Sequence, residues 1–288
     1  MRDPALKSVA VGFFDGVHIG HRAILANADA AITFREHPLS VVAPERAPRL
    51  IMSSEARIAA IRKCGVDEVV ALDFDDAMSR LTPEEFAEIH FLRRFKRPPS
   101  EIGILCGENW RFGSGGSGSA QTLREMGFAV TVVPYAEFKG APVSSSRIRE
   151  ALEGGDIEDA NAMLGRRFGG LGTVAAGKGE GRRIGYPTLN LELASLSLRL
   201  PLGVYEVVVD GVLGIANWGL APTFGERSWS HPVLEVHFPT MAKAVFDSPK
   251  AHSVEFSRFI RCERKFASID ELRIQIAADC AAVLGVRS

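Results

Sequence analysis

Short apolar runs alternate with segments of helical periodicity from residue 9 to about residue 134. The apolar runs predict strands at residues 9–12, 31–34, 68–74, 101–106 and 128–134. Strands that alternate with helices indicate a parallel sheet covered by helices. The clearest helix start is at Thr82, where a proline and the capping-box residue Glu85 precede apolar residues at helical spacing. His90 lies in this helix, where a structural or solvated role is favoured over that of a ligand.

From residue 169 onward the pattern changes to short β-rich segments separated by glycine turns. The runs 203–209 and 212–217 are joined by Asp210 and Gly211, which is the strongest short-range signal for a β-hairpin. Several short strands followed by one terminal helix predict a small antiparallel barrel. That helix begins at a capping box, and its apolar stripe consists of Leu272, Ile276, Cys280 and Val283.

The two patterns meet between residues 155 and 165. A helix that begins near residue 143 ends at a pair of glycines, and Asp156 is then predicted to cap a second, short helix. We expect an α/β domain over residues 1–155, a connecting helix over residues 156–165 and a β domain over residues 166–288. The predicted fold class is α/β plus β, with a Rossmann-like parallel sheet first and a small antiparallel barrel with a terminal helix second.

Composition and charge indicate a soluble globular protein. Hydrophobic residues make up 46% and charged residues 24% of the chain, and the net charge of −1 creates no global field towards nucleic acid or anionic membranes. No segment reaches the roughly 18 apolar residues of a membrane span. The four cysteines are far apart, which favours reduced thiols over a metal site. We expect a soluble cytoplasmic protein, monomeric or weakly homo-oligomeric, without nucleic-acid or membrane partners.

Two histidines follow the first predicted strand in a glycine-punctuated turn. Gly12 and Asp15 come first, and then His18, Gly20 and His21 open an apolar helix. The first amides of a helix are unpaired and its dipole favours an anion, so this turn predicts a phosphate site. The two imidazoles could flank a polyphosphate and stabilise negative charge at phosphorus. The alternative is a turn with two surface histidines.

Other polar groups follow later strands of the same half. Residues 33–38 (TFREHP) come after the second strand, at the carboxyl edge predicted for the histidines. After a further strand, Asn109 is placed to bind an adenine or flavin edge, and Arg111 is a candidate for nucleotide binding. The glycine-serine run at residues 113–119 reads as a flexible loop on composition, although a lid over a nucleotide is the functional alternative.

The helix after residue 143 starts with several hydroxyls and two arginines. Ser144, Ser145, Arg147 and Arg149 would provide hydroxyl and guanidinium donors for a triphosphate. The alternative is a serine-capped surface helix.

A second glycine-rich segment lies in the β half. Residues 177–191 read GKGEGRRIGYPTLNL, in which Gly177 and Gly181 would let the backbone approach phosphate closely. The segment is not a Walker-type loop, because no lysine follows its last glycine. The alternative is a glycine-rich turn with a proline bend.

These segments resemble, in order, the motifs of the prokaryotic bifunctional riboflavin kinase/FAD synthetase family. Residues 12–21 (GFFDGVHIGH) resemble the H-x-G-H signature of nucleotidyltransferases. The segments 33–38, 107–113 and 143–149 resemble T-F-x-x-H-P, G-x-[DN]-F-x-F-G and I-S-S-T-x-I-R, and residues 177–190 resemble G-x-x-x-G-R-x-x-G-F-P-T-x-N. Residues 261–266 resemble R-x-E-x-K-F. The resemblance spans nearly the whole chain.

The resemblance implies two ATP-dependent reactions with magnesium at both sites. The second half would phosphorylate riboflavin to FMN, and the first half would adenylylate FMN to FAD and release pyrophosphate. It also implies that Glu235 is the catalytic base for riboflavin, a role that alternation along its strand does not itself select. Thr188 and Asn190 would supply neutral oxygens to magnesium bound to the nucleotide. For adenylyl transfer the candidates are His18, His21 and Arg149.

Two alternatives remain open. Eleven residues separate His21 from Thr33, near the lower limit for a crossover between parallel strands. The chain could therefore be a riboflavin kinase with weakened or lost adenylyltransferase activity. The second alternative is a non-catalytic flavin-binding regulator, against which the joint presence of Thr188, Asn190 and Glu235 argues. The family's Y-G element is replaced by residues 245–250.

Overall fold

A computed structural model of the chain describes residues 6–175, 180–193, 196–220, 231–240 and 251–285. The chain divides into two compact units, Met1–Ser145 and Ser146–Ser288. This division falls at the start of a helix that precedes residue 155. The domain boundaries at residues 155 and 165 therefore stay a prediction.

The first unit contains a five-stranded parallel sheet, as the alternating pattern predicts. Its strands are β1 (Lys7–Val11), β2 (Ala30–Phe34), β3 (Glu68–Leu72), β4 (Ile102–Gly107) and β5 (Ala129–Val133). Their order is β3-β2-β1-β4-β5, and each neighbouring pair is parallel. The direction of chain progression reverses between β1 and β4, and sheets of this kind bind ligands at the carboxyl edge beside that point.

Helices pack on both faces of this sheet. They are α1 (Ile19–Leu25), α2 (Leu39–Val42), α3 (Ser54–Arg62), α4 (Asp76–Arg80), α5 (Pro83–Ala87), α6 (Arg93–Phe95) and α7 (Ala120–Glu125), and a hairpin of β6 (Glu137–Phe138) and β7 (Ala141–Pro142) follows β5. Alternate residues of β1 enter different cores: Val9 joins one apolar cluster and Ala10 joins the other, which includes α1 and α3. Period-two alternation thus buries both faces of the strand.

The short first crossover forms a regular connection between two parallel strands. The seven-residue helix α1 connects β1 to β2, and Val9 pairs with Ala30 in parallel register. A crossover of this length therefore leaves the parallel pairing beside the predicted histidine site intact.

His90 is buried in an apolar cluster of the first unit. The predicted capping box of Thr82 and Glu85 starts α5, and a π-helical turn, Glu88–Leu92, follows it. The His90 ring packs 4.7 Å from the Phe86 ring, and within the described residues neither ring nitrogen has a hydrogen-bond partner. Burial lowers the pKa of His90, and the charge of Arg94 lowers it further. The structural role favoured by the sequence therefore places a neutral imidazole in the core.

We expect His90→Leu to stabilise the first unit by about 1–2 kcal/mol, because it removes two buried nitrogens that lack partners. The gain should grow as the pH falls below about 6.5, the ordinary value for histidine. In that range the unfolded wild type binds a proton that the folded state does not, so the wild type loses stability while the leucine variant does not. Thermal unfolding of both proteins at pH 7.5 and pH 5.5 measures this, and a difference that shrinks in acid would contradict it.

The second unit contains a closed antiparallel barrel, as predicted. Its strands are β8 (Phe168–Val174), β9 (Thr188–Glu192), β10 (Gly203–Val209), β11 (Val212–Gly219), β12 (Val233–His237) and β13 (His252–Cys262), and its helices are α8 (Ser145–Gly154), α9 (Ile157–Leu164), α10 (Glu180–Arg183) and α11 (Ile269–Leu284). The strand order around the barrel is β10-β11-β12-β9-β8-β13. The predicted hairpin is confirmed: Asp210 and Gly211 adopt positive φ angles of 48° and 84°, as a two-residue turn between β10 and β11 requires.

The helices of this unit differ from the sequence prediction in three details. Asp156 precedes α9, but its side chain makes no capping hydrogen bond. The short helix α10 lies within the glycine-rich segment, where no helix is predicted. On α11 only Leu272 and Val283 of the predicted stripe are fully buried, and Asp279 is buried beside them. The pattern of apolar residues does not predict the burial of Asp279, because this burial depends on a charged partner from β13.

Two further sequence predictions concern cysteines and membrane spans. All four cysteines are free thiols, as predicted. None of the described helices combines the length and hydropathy needed to cross a membrane.

Candidate active sites

The loop after β1 has an unusual backbone. Phe14 and Val17 have positive φ angles of 58° and 41°, with Gly16 at 82° between them. Positive φ is rare for a β-branched residue, and such strain persists only where the surroundings fix it. Phe14, Asp15 and Val17 are almost completely buried, which provides that constraint. The loop therefore presents the two following histidines from a rigid base.

Hydrogen bonds from three other segments hold the same loop. The hydroxyl of Thr33, at the end of β2, donates to the Phe13 carbonyl at 2.9 Å, and the hydroxyl of Ser145 donates to the Asp15 carbonyl at 2.9 Å. The Asp15 carboxylate accepts from the Ile51 amide at 3.1 Å. Asp15 and Ser145, both predicted to bind nucleotide, thus shape the loop in this structure, and their contact with a nucleotide stays a prediction.

His18 and His21 form one stacked pair. Their ring centroids are 3.5 Å apart with an interplanar angle of 18°, and the rings of His21 and Phe14 pack edge to face. The predicted binding of a polyphosphate between the two imidazoles stays a prediction. His18 caps α1, because its Nδ1 accepts a hydrogen bond from the His21 amide at 3.3 Å. That bond requires an unprotonated Nδ1, so the proton of neutral His18 is on Nε2.

The charge state of His21 follows from this packing. Burial lowers the pKa of His21 well below its ordinary value, and the neighbouring His18 lowers it further. Its Nδ1 is buried and has no hydrogen-bond partner in the described part of the chain. His21 is therefore neutral at pH 7 until an anion compensates for the cost of charging it. The alternative of two surface histidines does not describe His18, which is only 5% exposed.

The segment after β4 lies at the same carboxyl edge, since β4 neighbours β1. Asn109 and Arg111 are exposed there. The Arg111 side chain donates to the Trp110 carbonyl at 2.8 Å, and the Trp110 ring stacks on Phe112 at 4.8 Å. Phe112 and Gly118 exchange two backbone hydrogen bonds, which close the glycine-serine run at its base. The run is thus a closed loop in this structure, whereas composition alone favours a flexible one.

The predicted triphosphate segment is divided between the two units. Ser144 and Ser145 end the first unit, while Arg147 and Arg149 lie in the second, where the Arg149 guanidinium donates to the Ser146 hydroxyl at 3.4 Å. The predicted role of the two arginines beside the histidines stays a prediction.

Arg57 is a residue of this region that the sequence reasoning missed. Its Nη2 donates to the carbonyls of Phe34 and Arg35 at 2.6 and 2.7 Å, just after β2. Its guanidinium lies 4.2 Å from the centre of the Phe13 ring. The side chain is fully buried, which lowers its pKa. Arg57 therefore joins the ends of β1 and β2, and its helical position carries no signal that would single it out.

In the second unit, three predicted site residues lie on one face of the barrel. Asn190 on β9 pairs directly with Glu235 on β12, and Thr188 pairs with His237. The alternating residues Leu189, Leu234 and Val236 point into the buried core. Residues opposite each other on neighbouring strands project to the same side, so Thr188, Asn190 and Glu235 form one half-buried polar patch.

The glycine-rich segment folds against this patch. The Tyr186 amide donates to the Gly181 carbonyl at 2.8 Å. A side chain at Gly181 would collide with the Tyr186 carbonyl and would place a Cβ 3.1 Å from the Thr188 hydroxyl oxygen. His237 Nδ1 lies 3.0 Å from the Pro187 carbonyl, so His237 donates and fixes the bend before Thr188. Gly177, the other glycine predicted to bind phosphate, lies outside the described residues, as does the segment 245–250.

Asn190 has the clearest unsatisfied group of this patch. Its Oδ1 is buried, and no described residue donates a hydrogen bond to it. A buried carbonyl oxygen without a partner costs free energy, which a ligand could recover. No cluster of three or more histidine, cysteine, aspartate or glutamate side chains suited to a metal occurs in the described ranges.

Comparison with known proteins covers both units. The family model of FAD synthetase matches residues 2–147, and that of riboflavin kinase matches residues 164–286. The bifunctional riboflavin kinase/FMN adenylyltransferase of Bacillus subtilis is 32% identical, covering 97% of this chain and 92% of its own. The enzymes of the same name from Escherichia coli K12 and Pseudomonas fluorescens are 32% and 34% identical, each covering 94% of this chain and 90% of its own.

A solved structure has the same fold. The crystal structure of a protein described as a macrolide-efflux protein from Streptococcus pneumoniae has a TM-score of 0.84 and 28% identity, with 98% of this chain and 94% of that chain covered. The parallel sheet, the closed barrel, the two family matches and the relatives matched over most of their length all indicate the same two-domain family. The chain therefore belongs to the family of bifunctional riboflavin kinase/FMN adenylyltransferases, and it is an enzyme that joins an FAD synthetase domain to a riboflavin kinase domain.

Proposed function

We propose that the polar patch of the barrel and the histidine pair of the parallel sheet are the two active sites of FAD synthesis. The barrel converts riboflavin and ATP to FMN and ADP. The sheet domain converts FMN and ATP to FAD and pyrophosphate. The observation that carries the assignment is the cross-strand pair of Asn190 and Glu235, which puts a carboxylate beside an unsatisfied buried carbonyl oxygen.

In the kinase reaction Glu235 is the base. It accepts the proton of the 5′-hydroxyl of riboflavin while that oxygen bonds to the γ-phosphorus of ATP and the bond from the γ-phosphorus to the bridging oxygen breaks. ADP leaves with the electron pair of that bond. Glu235 is half-buried on a barrel strand, so its carboxylate is held in place and is still reachable by a substrate. Positioning and charge stabilisation supply most of the catalysis in phosphoryl transfer.

Magnesium fits the neutral oxygens beside Glu235. Asn190 Oδ1 needs a partner, and the Thr188 hydroxyl lies on the same face one pair further along β9. Magnesium prefers oxygen ligands and usually keeps its water and phosphate ligands, so two neutral protein oxygens suit a cation that arrives with ATP. When bound, it would neutralise charge on the transferred phosphoryl group. Thr188 and Asn190 are the residues that would hold it. The backbone of Gly181, which lacks a side chain and packs against Thr188, would approach the phosphates.

In the adenylyl transfer no base is needed. The phosphate oxygen of FMN is already a nucleophile; it bonds to the α-phosphorus of ATP, and the bond to the pyrophosphate leaving group breaks. His18 and His21 orient the triphosphate and stabilise its charge in the transition state. His21 is neutral without a ligand, and bound phosphate would raise its pKa so that it binds a proton. Gly12 and Gly20 would let the backbone approach the phosphates. Asn109 and Arg111 would contact the nucleotide, and Ser144 and Ser145 would add donors.

The proposal includes a cytoplasmic enzyme that works as a monomer or a weak homo-oligomer on small molecules. Its net charge of −1 offers no attraction to nucleic acid or to an anionic membrane.

Chromatographic product analysis tests the assignment directly. The purified chain would be incubated with ATP and either riboflavin or FMN, with magnesium or with excess EDTA. We expect FMN and FAD from riboflavin, FAD from FMN, and neither product in EDTA. FMN without FAD would support the alternative of a kinase with a lost adenylyltransferase. Absence of both products in the presence of magnesium would support the alternative of a non-catalytic flavin-binding regulator.

A further inference from the structure

Arg57 is a charged residue on the buried face of a helix. It lies one turn before Ile61 on α3, and these two are the buried residues of that helix. Its Nη2 donates to the carbonyls of Phe34 and Arg35, but Nε and Nη1 are also buried and have no hydrogen-bond partner within the described ranges. Burying a cation is costly unless neighbouring groups replace its hydration. The groups that compensate for the charge of Arg57 therefore indicate its role.

Two of these groups belong to the loop that carries the histidines. The guanidinium lies over the Phe13 ring, 4.2 Å from its centre, and cation–π contacts of this kind are strongest where water is excluded. Burial lowers the pKa of Arg57, and the negative charges of Asp15 and, to a smaller extent, Glu55 counteract that effect. The Asp15 carboxylate is itself held by the Ile51 amide, which precedes α3. Arg57 is therefore linked to the loop by direct contact with Phe13 and by charge attraction to Asp15.

The rings of Phe13 and Phe14 connect Arg57 with the histidine pair. Phe13 packs against the guanidinium, and the ring of the next residue, Phe14, packs edge to face with His21 at 5.3 Å. Phe14 has a positive φ angle of 58°, and a strained backbone of this kind persists only where its surroundings hold it. The His21 amide, in turn, donates to His18 Nδ1. A shift of Phe13 would therefore reach both imidazoles within a few residues.

We propose that Arg57 is a positioning residue for adenylyl transfer, which holds the stacked pair of His18 and His21 in place through Phe13. This inference rests on the proposed role of the two histidines. Arg57 is fully buried, so it acts on the loop and does not contact the substrate. Its cation serves the site better than an apolar side chain would, because it satisfies the carbonyls that follow β2 and attracts the loop after β1 at the same time.

Two substitutions separate the charge of Arg57 from the space that it fills. Arg57→Lys keeps a positive charge beside the Phe13 ring, whereas Arg57→Met keeps a long flexible stem and removes the charge. In Arg57→Met, Phe13 loses its cation and the carbonyls after β2 lose their donor. We expect kcat for FAD formation from FMN to fall about a hundredfold in Arg57→Met, with a smaller change in the KM for ATP, because a misplacement of about 1 Å has effects of this size. Arg57→Lys should stay within about tenfold of the wild type.

The tautomer of His18 provides a readout that does not depend on activity. His18 Nδ1 accepts the hydrogen bond from the His21 amide, which fixes the proton on Nε2. Long-range nitrogen–proton NMR spectra, recorded without ATP where the imidazoles are neutral and assigned with His18→Gln, should show this tautomer in the wild type and in Arg57→Lys. Arg57→Met should show a mixture of both tautomers. A general loss of stability would not change the tautomer in the molecules that remain folded.

Arg62→Met is the matched control. It makes the same change on the same helix at an exposed position, so it should alter neither the tautomer nor FAD formation. FMN formation from riboflavin, catalysed by the other domain of the same molecules, should be normal in every variant and measures the amount of intact enzyme. If the sheet domain of Arg57→Met does not fold, Phe13→Leu tests the same path without removing a charge. It should lower kcat about tenfold and shift the tautomer in the same direction.

The outcomes separate this inference from the function on which it rests. Wild-type FAD formation in Arg57→Met, or a hundredfold loss with an unchanged His18 tautomer, would overturn the positioning role, while an inactive His21→Ala would still support the proposed function. The same holds for Phe13→Leu if it is the variant that folds. Equal losses in Arg57→Lys and Arg57→Met would also overturn the positioning role, since the lysine retains the charge. Activity of His21→Ala near that of the wild type would overturn the role of the histidine pair and this inference with it.

Discussion

Replacing Glu235 with glutamine is expected to abolish FMN formation from riboflavin while FAD formation from supplied FMN continues. The amide has the shape of the carboxylate but cannot accept the proton of the 5′-hydroxyl. General base catalysis contributes about 10²- to 10⁴-fold, so the kinase rate should fall at least about a hundredfold. The isosteric change keeps the strand pairing with Asn190 and Asn217, so the barrel should remain folded.

Rates from riboflavin and from FMN, measured on the same preparation, check this result. Glu255→Gln on β13 is the matched control, since it makes the same change on an outward barrel position away from the patch. Quenching of riboflavin fluorescence reports binding, which Glu235→Gln should retain. Kinase activity within tenfold of the wild type would show that Glu235 is not the catalytic base. Joint loss of both reactions would show that the two activities are not separable.

His21→Ala should have the opposite effect, with loss of FAD formation and normal FMN formation. Removing one group that stabilises transition-state charge costs about 10²- to 10³-fold. The alanine also removes the ring that stacks on His18 and meets Phe14, so the remaining imidazole loses its fixed orientation. We therefore expect FAD formation to fall by at least about a hundredfold.

The measurement is FAD formation from FMN and ATP, with FMN formation from riboflavin as the internal standard. His90→Leu is the control for loss of a buried histidine from the same unit, and it should preserve both reactions. The loss of FAD formation in His21→Ala should also depend on pH. As the pH falls, the wild type in complex with ATP gains a charged His21 and the variant cannot, so the ratio of their rates should increase in acid. A ratio near one throughout would contradict the role of His21.

The architecture could be predicted from the sequence because the periodicity of apolar residues in its strands and helices is clear. The apolar runs of β1 to β5 alternate with helical segments, and the Asp210-Gly211 turn defines its hairpin by local chemistry. Burial of Asp279 could not be predicted in this way, because it depends on Arg261, which is distant in sequence. Apolar stripes on helices indicate which apolar residues are buried. They do not identify a charged residue that is buried in an ion pair.

Prediction of the sites has a similar limit. His18 and His21 are adjacent in a short motif, and the structure brings them into one stacked pair. Glu235 is selected by family resemblance, since alternation fits a solvent-facing glutamate equally well. Arg57 gives no signal at all. Its contacts join the ends of β1 and β2, and only the folded chain brings these together.

Closure of the barrel has a consequence for the order in which the enzyme matures during translation. β8, the first barrel strand, pairs with β13, the last, with Phe168 opposite Phe256. The kinase half therefore keeps open strand edges until β13 has left the ribosome, whereas all five strands of the parallel sheet emerge earlier. A chain that stalls before β13 would expose edges prone to aggregation. The nascent enzyme should thus complete its FAD-forming half before its FMN-forming half.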